Sequence, residues 1–386
     1  MADTQKPRSD TASTPTTPFR VEKGTCYALF AYEVGFAIDL DEAERRITAA
    51  TKQRERMPRK RRAPHYFEYH PAPLRVSQPA GPVTVGNHRT TANVDAVIYD
   101  FGAISITYSI PIEGPLANLL TLSDELWDHP QLLAASRKLV EGLFDTIHPA
   151  VTRPRISDLV EDYAIYQIEQ ATPAGSPAEI IADNRLPLAQ ILRAEPEALS
   201  DQEIEDALAC RLAYGRDDGL LIDWNAALVF DRDAEDIRAV LEYANVELLE
   251  LRYLDDQLDD DLDEAYETVA RPGRRLLSLF TSSAGDLRRI AALQMDSALL
   301  FEGVNNALKL LGDQYLARVY RLASQRLHLT EWDASIARKL SILDNLYQRI
   351  AGQQSERRME VLEWIIIILI ALSILLEFIP DLPKLW

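Results

Sequence analysis

The stretch from Val361 to Ile379 (VLEWIIIILIALSILLEFI) constrains this chain more than any other, because nineteen residues there include only Glu363, Ser373 and Glu377 as polar side chains. A helix rises about 1.5 Å per residue, so the segment would reach roughly 28 Å, close to a hydrocarbon core of about 30 Å. From Trp364 to Leu376, thirteen consecutive residues carry no charge. Read alone, this predicts one transmembrane helix bounded near Val361 and Phe378, with a core helix of an oligomer as the alternative. Glu363 and Glu377 fall near opposite ends, Trp364 and Trp386 suit interfacial aromatic anchors, and Pro380 ends the helix. Arg349, Arg357 and Arg358 precede the stretch and only Lys384 follows it. The positive-inside rule then predicts a single-pass membrane protein with its N-terminal part in the cytoplasm, at the inner membrane if the source is bacterial.

The whole chain carries a formal charge of −19, which argues against a general nucleic-acid binder and suits a self-repelling surface. Cys26 and Cys210 are the only cysteines. Two thiols form no disulfide framework, so a reducing compartment is expected. Met1 to Thr17 is rich in Ser, Thr and Pro without an apolar run, and reads as a disordered tail rather than a leader.

Five segments follow: a tail over 1–20, an α+β cytosolic domain over 21–231, a helical stalk over 232–358, the span over 359–380 and a short tail over 381–386. In the second segment, Thr25 to Leu40 reads as a strand or two, and Leu74 to Val76 and Val83 to Val85 as short strands kept to an edge by Pro71, Pro73, Pro79 and Pro82. Val94 to Ile112 is the clearest strand pair, with a turn at Gly102. Leu116 to Trp127, Pro130 to Phe144 and Asp201 to Cys210 read as helices. Tyr163 to Ile168 reads as a strand, and Leu220 to Phe230 as a strand pair. The fold class expected is α+β: a mixed or antiparallel sheet domain with helices, then a coiled-coil-like stalk, then the transmembrane helix. In the stalk, Leu251, Leu254, Leu258, Leu262, Tyr266 and Val269 form one apolar stripe. Pro272-Gly273 breaks that helix, and two more are expected from near Asp286 and near Thr330. Their near-heptad spacing predicts self-association.

Nothing in the motif inventory points to catalysis. No phosphate loop, dinucleotide fingerprint, nucleophile elbow or zinc-ligand spacing is present, so no catalytic residue, cofactor or metal site is expected. Asp100-Phe101-Gly102 matches a kinase tripeptide without its companion motifs and reads as a strand end and turn. Nine Lys/Arg against Glu55 alone lie between Arg45 and Arg62. Within that segment Arg54, Arg56, Arg59, Lys60, Arg61 and Arg62 are the candidate contact for anionic lipid or RNA, against a solvated surface as the plain reading. The acidic run Asp255, Asp256, Asp259, Asp260, Asp261, Asp263 and Glu264 reads as the wet face of an amphipathic helix rather than a cation site.

Several elements together resemble the "required for meiotic nuclear division" family, a domain of unknown function. They are Leu362-Glu363-Trp364 with its Ile/Leu run closed by Glu377-Phe378, the strand–glycine–strand element Val97-Ile98-Tyr99-Asp100-Phe101-Gly102-Ala103, the helix opening Glu250-Leu251-Arg252-Tyr253-Leu254-Asp255, and Lys339-Leu340. The resemblance covers roughly Thr25 to Phe378 and implies a membrane-attached, oligomeric, non-enzymatic protein whose mitochondrial relatives support organelle translation. The expected function is a membrane-tethered scaffold with lipid and further copies of itself as partners. The alternative is a subunit of an ion-transport assembly built like the CorA-type magnesium channels, whose architecture the chain also resembles without their Gly-Met-Asn motif.

Overall fold

A computed structural model of the chain describes residues 18–53, 71–270 and 314–377. These fall into two units, one over Met1–Glu250 with Gly303–Thr330, the other over Leu251–Glu302 with Glu331–Trp386.

The first unit is built on a long strand. β1 (Arg20–Glu33) alternates side chains between two faces, as a strand must. Cys26, Ala28, Phe30 and Tyr32 join the main hydrophobic core, where the Tyr32 hydroxyl meets Ser136 Oγ at 2.6 Å. Tyr27, on the opposite parity, lies under the Arg238 guanidinium at 3.9 Å. Both faces are covered, which explains why the run from Cys26 to Tyr32 is apolar or aromatic rather than alternating. After β2 (Ala37–Ile38) and α1 (Leu40–Gln53) come β3 (Leu74–Pro79), the small hairpin β4 (Thr84–Val85) and β5 (His88–Arg89), β6 (Asn93–Ile98) and β7 (Ala103–Pro115). Helices α2 (Leu116–Leu126) and α3 (Pro130–Ile147) follow, then β8 (Val151–Thr152), β9 (Val160–Thr172), α4 (Pro177–Asp183), α5 (Arg185–Arg193) and α6 (Asp201–Ala207). β10 (Arg211–Leu212), β11 (Gly219–Ile222) and β12 (Ala226–Phe230) complete the sheet before α7 (Glu235–Ala270), α8 (Gln314–Arg326) and α9 (Leu329–Glu377).

Eight strands form one sheet in the order β10-β11-β12-β9-β1-β7-β6-β3. The proline-flanked β3 is an edge strand, because proline cannot donate to a second ladder. All neighbours are antiparallel except β12 and β9, which pair in parallel from Ala226↔Ala164 to Phe230↔Ile168. A parallel pair needs a crossover, and α4, α5 and α6 supply it. The fold is therefore mixed α/β with a large sheet, which corrects the expected α+β arrangement ending in a membrane span. α4 is fixed at its start by a reciprocal cap in which Ser176 Oγ accepts from Glu179 N–H and the Glu179 side chain accepts from Ser176 N–H. Ser176→Ala is expected to lower stability by about 1 kcal/mol, read as a shift in the thermal midpoint.

In the second unit, Leu251, Leu254, Leu258 and Leu262 are buried as the stripe predicts, with Ile336 and Leu343 of α9, while Tyr266 is 52% exposed. Lys339 reaches Asp255 Oδ1 at 2.7 Å and Asp259 Oδ1 at 2.6 Å, so this part of the acidic run is a salt-bridged helix face. Among the described residues no group of acidic, His or Cys side chains is placed to hold a metal ion.

The transmembrane expectation is overturned. Among the described residues, no helix is long and apolar enough to cross a membrane. α9 is long, running from Leu329 to Glu377, but most of its turns before Glu363 carry charged side chains. The predicted span, the membrane anchoring and the single-pass location fall with it. The predicted helix break at Pro272-Gly273 and the helix expected from Asp286 begin outside the described residues.

Candidate functional site

The residues singled out by the sequence divide by what the structure describes. Arg54, Arg56, Arg59, Lys60, Arg61 and Arg62 lie outside the described residues, as does Phe378. Val361 and Glu377 are within α9. Every large apolar side chain from Trp364 to Ile374 is 47–65% exposed in the single chain, distributed around the whole helix rather than along one stripe. Glu363 is exposed at one end of this stretch, and the Ser373 hydroxyl donates back to the Ile370 carbonyl at 2.9 Å. That bond satisfies the hydroxyl within the helix, so Ser373 can enter an apolar contact without leaving a donor unpaired.

Two polar centres in the first unit escape sequence reading. The first joins residues far apart in the chain. Asp223, with a fully buried side chain, accepts from Trp224 N–H at 2.8 Å, from Arg326 Nε at 2.6 Å and from Arg193 Nε at 3.1 Å. Asp206 accepts from Arg193 Nη2 at 2.6 Å and Arg326 Nη2 at 2.8 Å, and Glu203 pairs with Arg193. The Arg326 guanidinium holds the Asp206 carboxyl below the usual range, mainly by that hydrogen bond. Two cations face three anions here, and every one of the five is already paired within the cluster, so the centre ties α5, α6, the β11–β12 turn and α8 together. Its one sequence signal is a carboxylate inside the apolar run Leu220 to Phe230.

The second centre lies between the sheet and α7. Glu242, Asn245, Glu247 and Glu250 are at most 6% exposed, among the buried apolar side chains of the first half of α7. Glu242 takes a hydrogen bond from the Thr107 hydroxyl at 3.3 Å and an ion pair from Arg75 at 3.6 Å. Asn245 donates to the Glu161 carbonyl at 3.4 Å, and the Tyr320 hydroxyl donates to Glu247 at 2.7 Å. Glu33, at the end of β1, hydrogen-bonds to Glu250. Burial pushes both carboxyls up. The charge of Glu250 raises Glu33 further, well above the carboxylate range, while the hydrogen bond from Glu33 limits Glu250 to about 7. The chemistry available is proton storage, with Glu33 as donor and Glu250 as acceptor.

A groove of about 810 Å³ opens at the start of β1, where Arg20, Lys23 and Arg89 face Glu22, Glu113 and Glu169. Its charges balance, so it selects neither an anion nor a cation.

Comparison with known proteins adds a family without an activity. A protein of Methanocaldococcus jannaschii described as "Uncharacterized protein MJ0711" is 25% identical over 242 residues, covering 62% of this chain and 72% of its own. No solved structure matches. The meiotic-division name suggested by Leu362-Glu363-Trp364 finds no support in these matches; what holds is the coarser statement that the chain carries a domain of uncharacterised function. The family model matched, over residues 23–236, spans more than half of the chain, from within β1 through the whole sheet to the start of α7, and the chain therefore belongs to the family described as "Uncharacterized protein MJ0711, N-terminal domain".

Proposed function

We propose that this chain is a non-enzymatic scaffold that assembles with copies of itself through the apolar part of α9 and presents its α/β unit to other macromolecules. The observation that carries the reading is the unbroken exposure of large apolar side chains from Trp364 to Ile374. A helix that is apolar all round is stable only when it is covered. Burying side chains of this kind stabilises by about 1.5–3 kcal/mol each, so covering even half of this surface supplies on the order of 10 kcal/mol. A further copy of the same helix is the occupant this chemistry favours. The chain's formal charge of −19 makes its copies repel one another over most of the surface, and this stretch is where that repulsion is weakest. Glu363 sits at its end, and Ser373 needs no outside partner.

The test is the mass of the full chain in aqueous buffer by light scattering. An oligomer is expected for the natural sequence, and a Ile367→Asp, Ile370→Asp double variant is expected to run as a monomer, because each buried carboxylate would cost several kcal/mol. A monodisperse monomer of the natural chain, or a chain kept in solution only by detergent or lipid vesicles, overturns the reading.

A further inference from the structure

The carboxyl pair of Glu33 and Glu250 is not used by self-association, and its geometry points to a separate role. We propose that the two side chains form a pH-sensitive latch, which holds this turn of α7 against the end of β1 most firmly while both are protonated, more weakly while they share one proton, and opens once that last proton leaves.

Both residues are buried, at 3% and 5% exposure, and in hydrogen-bond contact. Glu33 Oε2 and Glu250 Oε1 have no further partner, so there is no hydrogen-bond donor to stabilise a second negative charge at either oxygen. Two carboxylates in contact do not both ionise unless something sits between them, and a shared proton is the smallest such group. The sheet side of the latch is rigid. Gly35 N–H donates to the Glu33 side chain, and Ser157 N–H donates to the Glu33 carbonyl at 2.9 Å. The Gly102 turn closes over the same place, such that a Cβ at Gly102 would lie 3.0 Å from Glu33 Oε1. The element left to yield is α7.

Other titratable groups on the surrounding elements include Tyr243, Glu247, Arg252 and Tyr253 on α7, Tyr320 on α8, Tyr99 and Asp100 in the β6–β7 turn, Arg155 and Asp158 before β9, and Glu161 and Asp162 on β9. The Tyr320 hydroxyl donates to Glu247 Oε2 at 2.7 Å. The main influences on Glu33 and Glu250 are burial and each other. Both carboxyls bind protons more tightly in the folded chain than at their ordinary value of 4.5, so the folded state holds the extra protons. The latch contributes fully below that value, weakens as pH rises through about 7 where Glu250 ionises, and fails as Glu33 follows.

Hydrogen–deuterium exchange on the full chain between about pH 6 and about pH 9, corrected for the intrinsic rate, tests this on peptides covering Glu242 to Glu250. Local opening is expected to grow with pH by up to about tenfold per unit for each proton released on opening, while peptides from α3 show no such growth. A Glu33→Gln, Glu250→Gln double variant keeps the shape without the titration and is expected to be flat. A flat natural chain, or a double variant with the natural slope, overturns the latch. Carboxyl-carbon NMR titration of the natural chain decides the same question whether or not the variant folds. Glu33 and Glu250 both titrating above the ordinary range support the latch, and either one titrating at its ordinary value overturns it.

Discussion

Asp223→Ala is expected to lower the stability of the first unit by about 3 kcal/mol, at the lower end of the cost of breaking a buried ion pair. Asp223 is fully buried and accepts hydrogen bonds from Arg193, Arg326 and its neighbour's backbone, so its loss leaves two guanidinium groups, each about one-eighth exposed, short of their central anion. The cost stays at the lower end because Asp206 still holds both arginines and Glu203 still holds Arg193. Arg326 lies in α8, so the variant should also release that helix first, seen as early loss of exchange protection over Gln314 to Arg326. Asp223→Asn keeps the shape and some of the bonds and is expected to cost less. Urea denaturation measures both, and a loss below about 1 kcal/mol for the alanine variant would show that the centre contributes no more than an ordinary surface pair.

Gly102→Ala is expected to cost about 3 kcal/mol or more, and here the cause is backbone geometry. Gly102 has φ of +110°, a conformation costing an L-residue about 1–3 kcal/mol. A Cβ there would also stand 1.7 Å from the Gly35 carbonyl oxygen, so the turn must move away from β1. The carbonyl of Gly102 accepts from Val34 N–H at 2.9 Å, and that bond would be lost with the displacement. Gly142→Ala is the matched control. It sits within α3 with nothing within 4 Å of an added Cβ, and is expected to raise stability by up to about 1 kcal/mol. Thermal midpoints that fall together for the two variants would refute the steric argument.

Much of the sheet is legible directly from residues. The pair Val94 to Ile112 with its turn at Gly102 appears as β6 and β7, and Leu220 to Phe230 as β11 and β12, because alternation and a permissive glycine act within a few residues. The stripe Leu251 to Leu262 is buried for the same local reason. α4 and α5 do not stand out from the sequence although Ser176, Pro177 and Glu179 spell a helix start, since those helices are short and their apolar periodicity is weak. The transmembrane reading fails at a different point. Hydropathy records that Trp364 to Ile374 avoids water, not which medium replaces the water, and an apolar helix among its own copies meets the same requirement.

What the residues alone determined is local: which segments are strands, where Gly102 lets the chain turn, and which side of α7 is apolar. The tertiary structure decided the parallel pairing of β9 with β12, the gathering of Arg193, Asp206, Asp223 and Arg326, and the meeting of Glu33 with Glu250 across more than two hundred residues. Secondary-structure signals come from neighbours a few positions away, whereas the charge state of a carboxyl depends on the solvent and partners around it, which exist only once distant parts of the chain have packed.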